Sequence, residues 1–248
     1  MSTVLSAAPV TGSGEAAAAA ASGTAALVWE ALRSVRDPEL DADVVSLDFV
    51  ASLEVDENRV AHVRLRLPTY FCAPNFAFLM VADAWDAAST VEGLDDVDVE
   101  LIDHFAADAI NRGVAARAGF VHSMAGTEVG EAVEELDTLR RQFTERALMA
   151  GTDLVVRPLA KAGKTPEELA AMTLGDAPES ADLDRLRARR RELGIPSSDD
   201  DALVVDPSGR KVGVEALPLH LRKARSFQVG VEANTSICRG QLAVRYGL

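Results

Sequence analysis

The segment Leu65-Arg66-Leu67-Pro68-Thr69-Tyr70-Phe71-Cys72-Ala73-Pro74-Asn75-Phe76 joins a strand-like pattern to a strongly apolar helical one. Its two prolines lack backbone N–H donors and bias the residues before them toward extended conformations, so we predict a stiff turn. Thr69 then lies at a strand end and Cys72 at a helix start, where backbone N–H groups favour a thiolate. A buried structural cysteine is the other interpretation, since free cysteine is often buried. If the chain has a chemical site, we place it in this turn.

The patterns on either side of the turn predict a small domain in which a three-stranded sheet packs on two helices. The alternation of Val63, Leu65 and Leu67 with polar neighbours indicates a half-buried strand, so His62 is predicted to face solvent rather than to be a ligand. The predicted elements are a helix at 24–35, a strand at 44–55, a hairpin turn at 56–58, a strand at 60–67, a helix at 76–88 and a strand at 97–102.

The rest of the chain predicts a mainly helical extension with a β-hairpin, which makes the fold class α+β. Thr165-Pro166-Glu167-Glu168 has the cap, proline and acidic first turn of a helix start. Further helices are predicted at 105–118 and 128–149, and a hairpin at 203–214. The predicted domains are a disordered tail at 1–23, the α/β domain at 24–104, the helical extension at 105–195, and a hairpin with a polar C-terminal segment at 196–248.

The charge and cysteine content of the chain narrow the classes of partner. The formal net charge of −14 argues against nucleic acid and against anionic membrane surfaces, because both need a basic face. No apolar run has the length needed to cross a bilayer. Two cysteines do not make a disulfide framework, and this usage suits the reducing cytoplasm.

Four side chains are candidate metal ligands or reactive thiols. Asp37 and Glu39 flank Pro38, and the pair either caps or forms a turn, or offers hard oxygen ligands to iron, manganese or magnesium. Cys238 is the other cysteine of the chain. It either lies near Cys72, where the two could bind a metal or form a disulfide, or is a buried structural cysteine.

The arginines of the C-terminal half are candidates for docking a client protein. Three of them lie in the arginine-rich segment Leu183–Leu193, where a solvated helix paired with its acidic neighbours is the alternative interpretation. The candidates are Arg185, Arg189, Arg190, Arg222 and Arg225.

Residues 24–104 resemble the iron–sulfur cluster assembly domain of the phenylacetate-degradation D protein and of SufT-like factors. The matching features are Asp37-Pro38-Glu39, the hydrophobic hairpin of 44–67, Thr69, Pro74 and the apolar helix after it. The resemblance implies a domain that assembles or delivers metal centres, with the cysteine near the threonine as the reactive group and Thr69 and Pro74 in the supporting turn. The family has this cysteine directly before the proline, whereas here Ala73 stands there and Cys72 precedes it.

The function implied by this resemblance is that of an accessory factor, not an enzyme. The sequence has no Glu-x-x-His, His-Glu-x-x-His, Cys-x-x-Cys or Gly-x-Ser-x-Gly motif. No permanently bound cofactor is expected, only transient iron or an iron–sulfur cluster. The arrangement of an assembly-like domain, a helical extension and a polar C-terminus resembles accessory proteins of soluble di-iron monooxygenases. This resemblance implies a client metalloprotein, such as a monooxygenase component. The chain could also form a homodimer. A metal-free chaperone or structural subunit of such a system is the alternative.

Overall fold

The computed structural model describes residues 23–120, 123 and 132–248, which divide into two compact units. The first unit contains the described residues of Met1–Asp37, Ala42–Val129 and Cys238–Leu248, and the second those of Pro38–Asp41 and Gly130–Ile237. The predicted α+β class is confirmed. The predicted domain limits stay a prediction, and residues 1–22 of the predicted tail lie outside the described residues.

A three-stranded sheet in the order β1-β2-β3 forms the centre of the first unit. In chain order the elements of this unit are α1 (Gly23–Leu32), β1 (Val50–Val55), β2 (Val60–Leu65), α2 (Pro74–Ser89), β3 (Asp96–Leu101) and α3 (Ala107–Ala115). Strands β1 and β2 are antiparallel and joined by the predicted turn, whereas β2 and β3 are parallel. Because parallel neighbours need a crossover connection, the turn that carries Cys72 leads from β2 into the crossover helix α2.

Burial along the strands follows the expected two-residue period. The inward residues are apolar and buried, namely Ala61, Val63, Leu65, Val97, Val99 and Leu101. On the opposite face Arg64 contacts Asp98 at 3.0 Å and Glu100 at 3.1 Å. His62 lies on this polar face as predicted, 3.1 Å from Asp98, and the hydrogen bond to that carboxylate raises the pKa of His62.

The first strand is shorter than the sequence pattern predicted, because it begins at Val50 and not at Val44. The carboxylate of Asp43 accepts a hydrogen bond from the N–H of Ser46, which closes a turn over the apolar residues that follow. Asp48 has a φ of 59°, a left-handed conformation that a strand does not accommodate. The prediction was wrong here, since an apolar run fits a buried turn as well as a strand.

The second unit is built mainly from helices. In chain order its elements are α4 (Ala132–Lys161), α5 (Pro166–Ala171), a 3₁₀ turn (Leu174–Asp176), α6 (Ala181–Leu193) and α7 (Leu217–Tyr246). The residues of α7 from Cys238 onward belong to the first unit. Its core includes the buried residues Leu148, Val155, Val156, Leu174, Leu183, Leu186 and Leu203. Helix α4 extends past the predicted end at Met149, since Val155 and Val156 are needed in this core.

Local capping chemistry fixes the start of α5. The side chain of Thr165 accepts a hydrogen bond from the N–H of Glu168, and the carboxylate of Glu168 accepts one from the N–H of Thr165. This reciprocal pair satisfies two unpaired helix donors and confirms the predicted helix start. The predicted hairpin at 203–214 is a tight turn with one antiparallel bridge between Val205 and Lys211.

The 30-residue helix α7 occupies the segment for which the sequence predicted only polar contacts. Its interior contains Gly230 and Gly240, which lower helix propensity, and the pattern of polar residues obscured its period. No helix in the described ranges combines the length and apolar character that a bilayer span requires.

Candidate functional site

The turn that carries Cys72 ends in a well-defined helix start. Pro68 is buried, and α2 begins at Pro74. The backbone oxygen of Ala73 accepts the N–H of Ala77 at 3.1 Å, so Ala73 is the N-cap residue and Cys72 lies immediately before it. The two prolines thus bracket a short connection that belongs neither to β2 nor to α2.

Thr69 and Cys72 face each other across this connection. Thr69 Oγ1 and Cys72 Sγ are 3.3 Å apart, a distance at which either atom can donate a hydrogen bond to the other. The thiol of Cys72 is free and half-buried. When Cys72 is deprotonated, the hydroxyl of Thr69 can donate to the thiolate. A supporting role for Thr69 in the chemistry of the thiol stays a prediction.

His104 fixes the backbone of the turn from the loop after β3. Only 5% of its surface is exposed. Its Nε2 lies 2.8 Å from the backbone oxygen of Cys72, and the N–H of Ala106 donates to its Nδ1 at 3.2 Å. A carbonyl can only accept and an amide N–H can only donate, so the ring must be neutral with its proton on Nε2. Burial lowers the pKa of His104, and the charge of Arg245 lowers it further.

Acidification is expected to destabilise the chain through His104. Because the folded-state pKa lies below the unfolded value of 6.5, the unfolded state binds more protons, and the stabilisation that is complete above pH 6.5 is lost as the pH falls toward the folded-state pKa. The variant His104→Gln, which cannot titrate, should lose less stability than wild type between about pH 8 and about pH 5. Urea unfolding at both pH values measures this difference, and equal losses in the two proteins would contradict it.

Three exposed aromatic side chains surround the turn, and we call Tyr70, Phe71 and Phe105 the aromatic cluster. Their exposed fractions are 48%, 75% and 49%. The Phe71 ring centroid lies 5.1 Å from that of Tyr70 and 5.8 Å from that of Phe105, and the Phe105 ring also packs on His104 at 4.9 Å. Contiguous exposed apolar surface of this kind is typical of protein–protein contact sites.

The end of α7 connects the two loops that frame Cys72. The Arg245 guanidinium donates to the backbone oxygen of Leu67 at 3.3 Å and to that of Asp103 at 2.7 Å. The Tyr246 hydroxyl donates to the carboxylate of Asp103 at 3.4 Å. Arg245 therefore links the segment before Thr69 to the loop that carries His104. Sequence reasoning missed His104, Arg245 and the aromatic cluster. The signal present in the sequence was the pair of aromatic residues, Tyr70 and Phe71, directly before Cys72.

Each of the other predicted ligands is described by its own burial or contacts. Asp37 is 8% exposed, and the carboxylate of Glu39 accepts a hydrogen bond from the Asn234 amide at 2.9 Å. Cys238 is a half-buried cysteine of α7. Within residues 23–120, 123 and 132–248, no three His, Cys, Asp or Glu side chains are grouped so that they could hold a metal ion. A metal-ligand role for Asp37, Glu39 and Cys238 stays a prediction.

The predicted docking arginines differ in exposure. Arg189 and Arg190 are 2% and 0% exposed, and both donate hydrogen bonds within the second unit. Their burial corrects the expectation that they belong to a docking surface, because the helix face that carries them packs on the core. Arg185 pairs with Asp182 on the surface, and Arg225 pairs with Asp153 at 3.4 Å. A docking role for Arg185, Arg222 and Arg225 stays a prediction.

Comparison with protein families gives one match. Residues 25–101 match the family described as iron-sulfur cluster assembly protein, which confirms the predicted resemblance for this part of the chain. The matched range includes Thr69, Cys72 and Pro74 but ends before His104. The comparisons with curated proteins and with solved structures give no match.

Proposed function

We propose that the chain is an accessory factor that handles iron or an iron–sulfur cluster transiently at Cys72 and passes it to a client metalloprotein. The carrying observation is the half-buried thiol of Cys72, hydrogen-bonded to Thr69 inside a segment that matches the iron–sulfur assembly family. As a finer proposal, the client is a component of a di-iron monooxygenase in the cytoplasm.

The donor set at the turn fits a shared and temporary site better than a resident one. An iron–sulfur cluster takes about four thiolate ligands, and the turn supplies one. The cargo would therefore need further ligands from the client or from a second copy of the chain. On binding, the Cys72 thiol gives up its proton to solvent, and on release it takes one back, so the exchange needs no oxidant or reductant.

The aromatic cluster supports the docking half of the proposal. It places large apolar groups beside the thiol, where a client surface that covers them also comes within reach of Cys72. This observation also favours a second candidate function, in which the chain is a metal-free chaperone that binds the client through the same cluster. The two functions differ in whether Cys72 is needed.

Anaerobic incubation of the full chain with ferrous iron and sulfide, with and without host extract, distinguishes the metal-handling factor from the metal-free chaperone. Absorption and Mössbauer spectra should show iron uptake by wild type and by the control Cys238→Ser, but a loss of about tenfold or more in Cys72→Ser. No iron uptake by wild type even in the presence of the extract, or equal uptake by Cys72→Ser, would refute the metal-handling half.

Capture from the same extract tests docking. Phe71→Ser should reduce recovery of a monooxygenase component about tenfold or more, since truncation of a central aromatic removes much of the binding energy. Leu219→Ser, at an apolar position of the second unit that is 52% exposed, is the matched control. Equal recovery by Phe71→Ser and wild type would remove the cluster from the proposal.

A further inference from the structure

The second unit contains a cavity that the proposed function does not use. Its volume is about 290 Å³, near the lower end of the roughly 300–1,000 Å³ typical of small-molecule sites. The buried side chains of Phe143 and Ala147, from α4, line it together with Phe227 and Val231, from α7. The lining is mainly apolar, so the cavity suits the hydrocarbon part of a ligand.

Charged groups at the cavity differ in whether they are already paired. Glu39 accepts a hydrogen bond from Asn234 at 2.9 Å, and Asp41 accepts two from the buried Arg189. Arg146 stacks on the Phe143 ring at 5.2 Å, and no carboxylate in the described part of the chain pairs with it. Arg146 is therefore the cation of the cavity lining that an incoming anion can reach.

We propose that this cavity binds a small apolar monocarboxylate, with the carboxylate on Arg146 and the hydrocarbon chain against Phe143 and Phe227. A guanidinium binds a carboxylate through two parallel hydrogen bonds. The Phe143 ring, on which Arg146 stacks, holds the guanidinium group in position. Glu39 repels the bound anion, so removal of its charge should tighten binding. The proposal is independent of Cys72 and of metal.

The cavity can also be filled by mutation. A Cβ added at Gly230, which lines the cavity within α7, meets no heavy atom within 4 Å. Gly230→Leu should therefore occupy the ligand space without a clash at its first carbon, and it replaces a glycine by a good helix former. Thermal unfolding checks that the variant is folded.

Isothermal titration calorimetry of the full chain with octanoate tests the proposal, with octan-1-ol and octylamine as probes of equal chain length. Octanoate should bind wild type, and Arg146→Gln should weaken its binding about tenfold or more. Gly230→Leu should abolish binding, and Glu39→Gln, which keeps an oxygen for Asn234, should tighten it a few-fold. Arg191→Gln, an exposed arginine of α6 that does not line the cavity, is the matched control.

Three results would overturn the proposal. One is the absence of octanoate binding to wild type at millimolar concentration. Another is binding of octan-1-ol or octylamine as tight as that of octanoate, which would mean that the cavity selects apolar chains and not carboxylates. The third is unchanged affinity in Arg146→Gln. None of these results bears on iron uptake at Cys72, so this proposal and the proposed function fail separately.

Discussion

Replacement of Arg190 by alanine is expected to lower the free energy of unfolding by about 3 kcal/mol or more. The Arg190 guanidinium is fully buried and donates to the backbone oxygens of Ala202 at 2.9 Å and Leu203 at 2.6 Å, and more weakly to that of Pro196 at 3.3 Å. Burial lowers its pKa to about 10, so it remains charged at neutral pH. Loss of the Arg190 side chain leaves these carbonyls without their guanidinium donor and opens a cavity.

Arg191 provides the control, because it is the next residue of α6 and is exposed. Arg191→Ala should change the stability by about 0.5 kcal/mol or less. Arg190→Met keeps most of the volume and should cost less than Arg190→Ala, which separates the cavity from the hydrogen bonds. Urea unfolding followed by circular dichroism measures all three variants. Similar stabilities of Arg190→Ala and Arg191→Ala would show that the buried guanidinium is not structural.

Asp41→Asn is expected to destabilise the chain by about 2 kcal/mol, because it removes the better-buried counter-ion of a buried charge. Arg189 is 2% exposed and donates to the Asp41 carboxylate from Nε at 2.9 Å and from Nη2 at 2.5 Å. Its remaining partner, Glu192, has a side chain that is 49% exposed, so solvent weakens that pair. Urea unfolding at neutral pH measures the effect.

Asp48→Asn is the matched control for this substitution. Asp41 and Asp48 both have left-handed backbones, with φ of 49° and 59°, which asparagine also tolerates, but Asp48 is exposed. The control should be nearly neutral. In the double variant Asp41→Asn with Arg189→Met the buried charge is also gone, so part of the loss should be recovered. No difference between Asp41→Asn and Asp48→Asn would refute the assignment.

The parts of the fold that sequence predicted well depend on neighbouring residues. The Thr165 cap and the alternation along β2 are set within a few positions, so propensity and period suffice to predict them. The strand predicted from Val44 failed because two aspartates, Asp43 and Asp48, bend the chain there. Arg189 and Arg190 of α6, predicted to dock a client, proved buried, because their carbonyl and carboxylate partners include residues on loops elsewhere in the chain.

In the candidate site, too, the residues that are close in sequence were predicted and the distant ones were not. Thr69 and Cys72 are three positions apart, and the two prolines that bracket them made the turn predictable. His104 and Arg245 reach the turn from positions 32 and 173 residues after Cys72, and only the packing of the first unit brings them there. No local pattern identifies such partners.

The first unit is discontinuous along the chain, and this has a consequence for synthesis on the ribosome. Its segments before Val129 are made first, then the whole of Gly130–Ile237, and only afterwards the segment from Cys238 that carries Arg245. Domains generally fold as they emerge, so the nascent chain displays Cys72 and Phe71 before Arg245 can join the two loops. The thiol thus gains its final support only after the second unit has been made, and a nascent chain interrupted within that unit exposes an unfinished site.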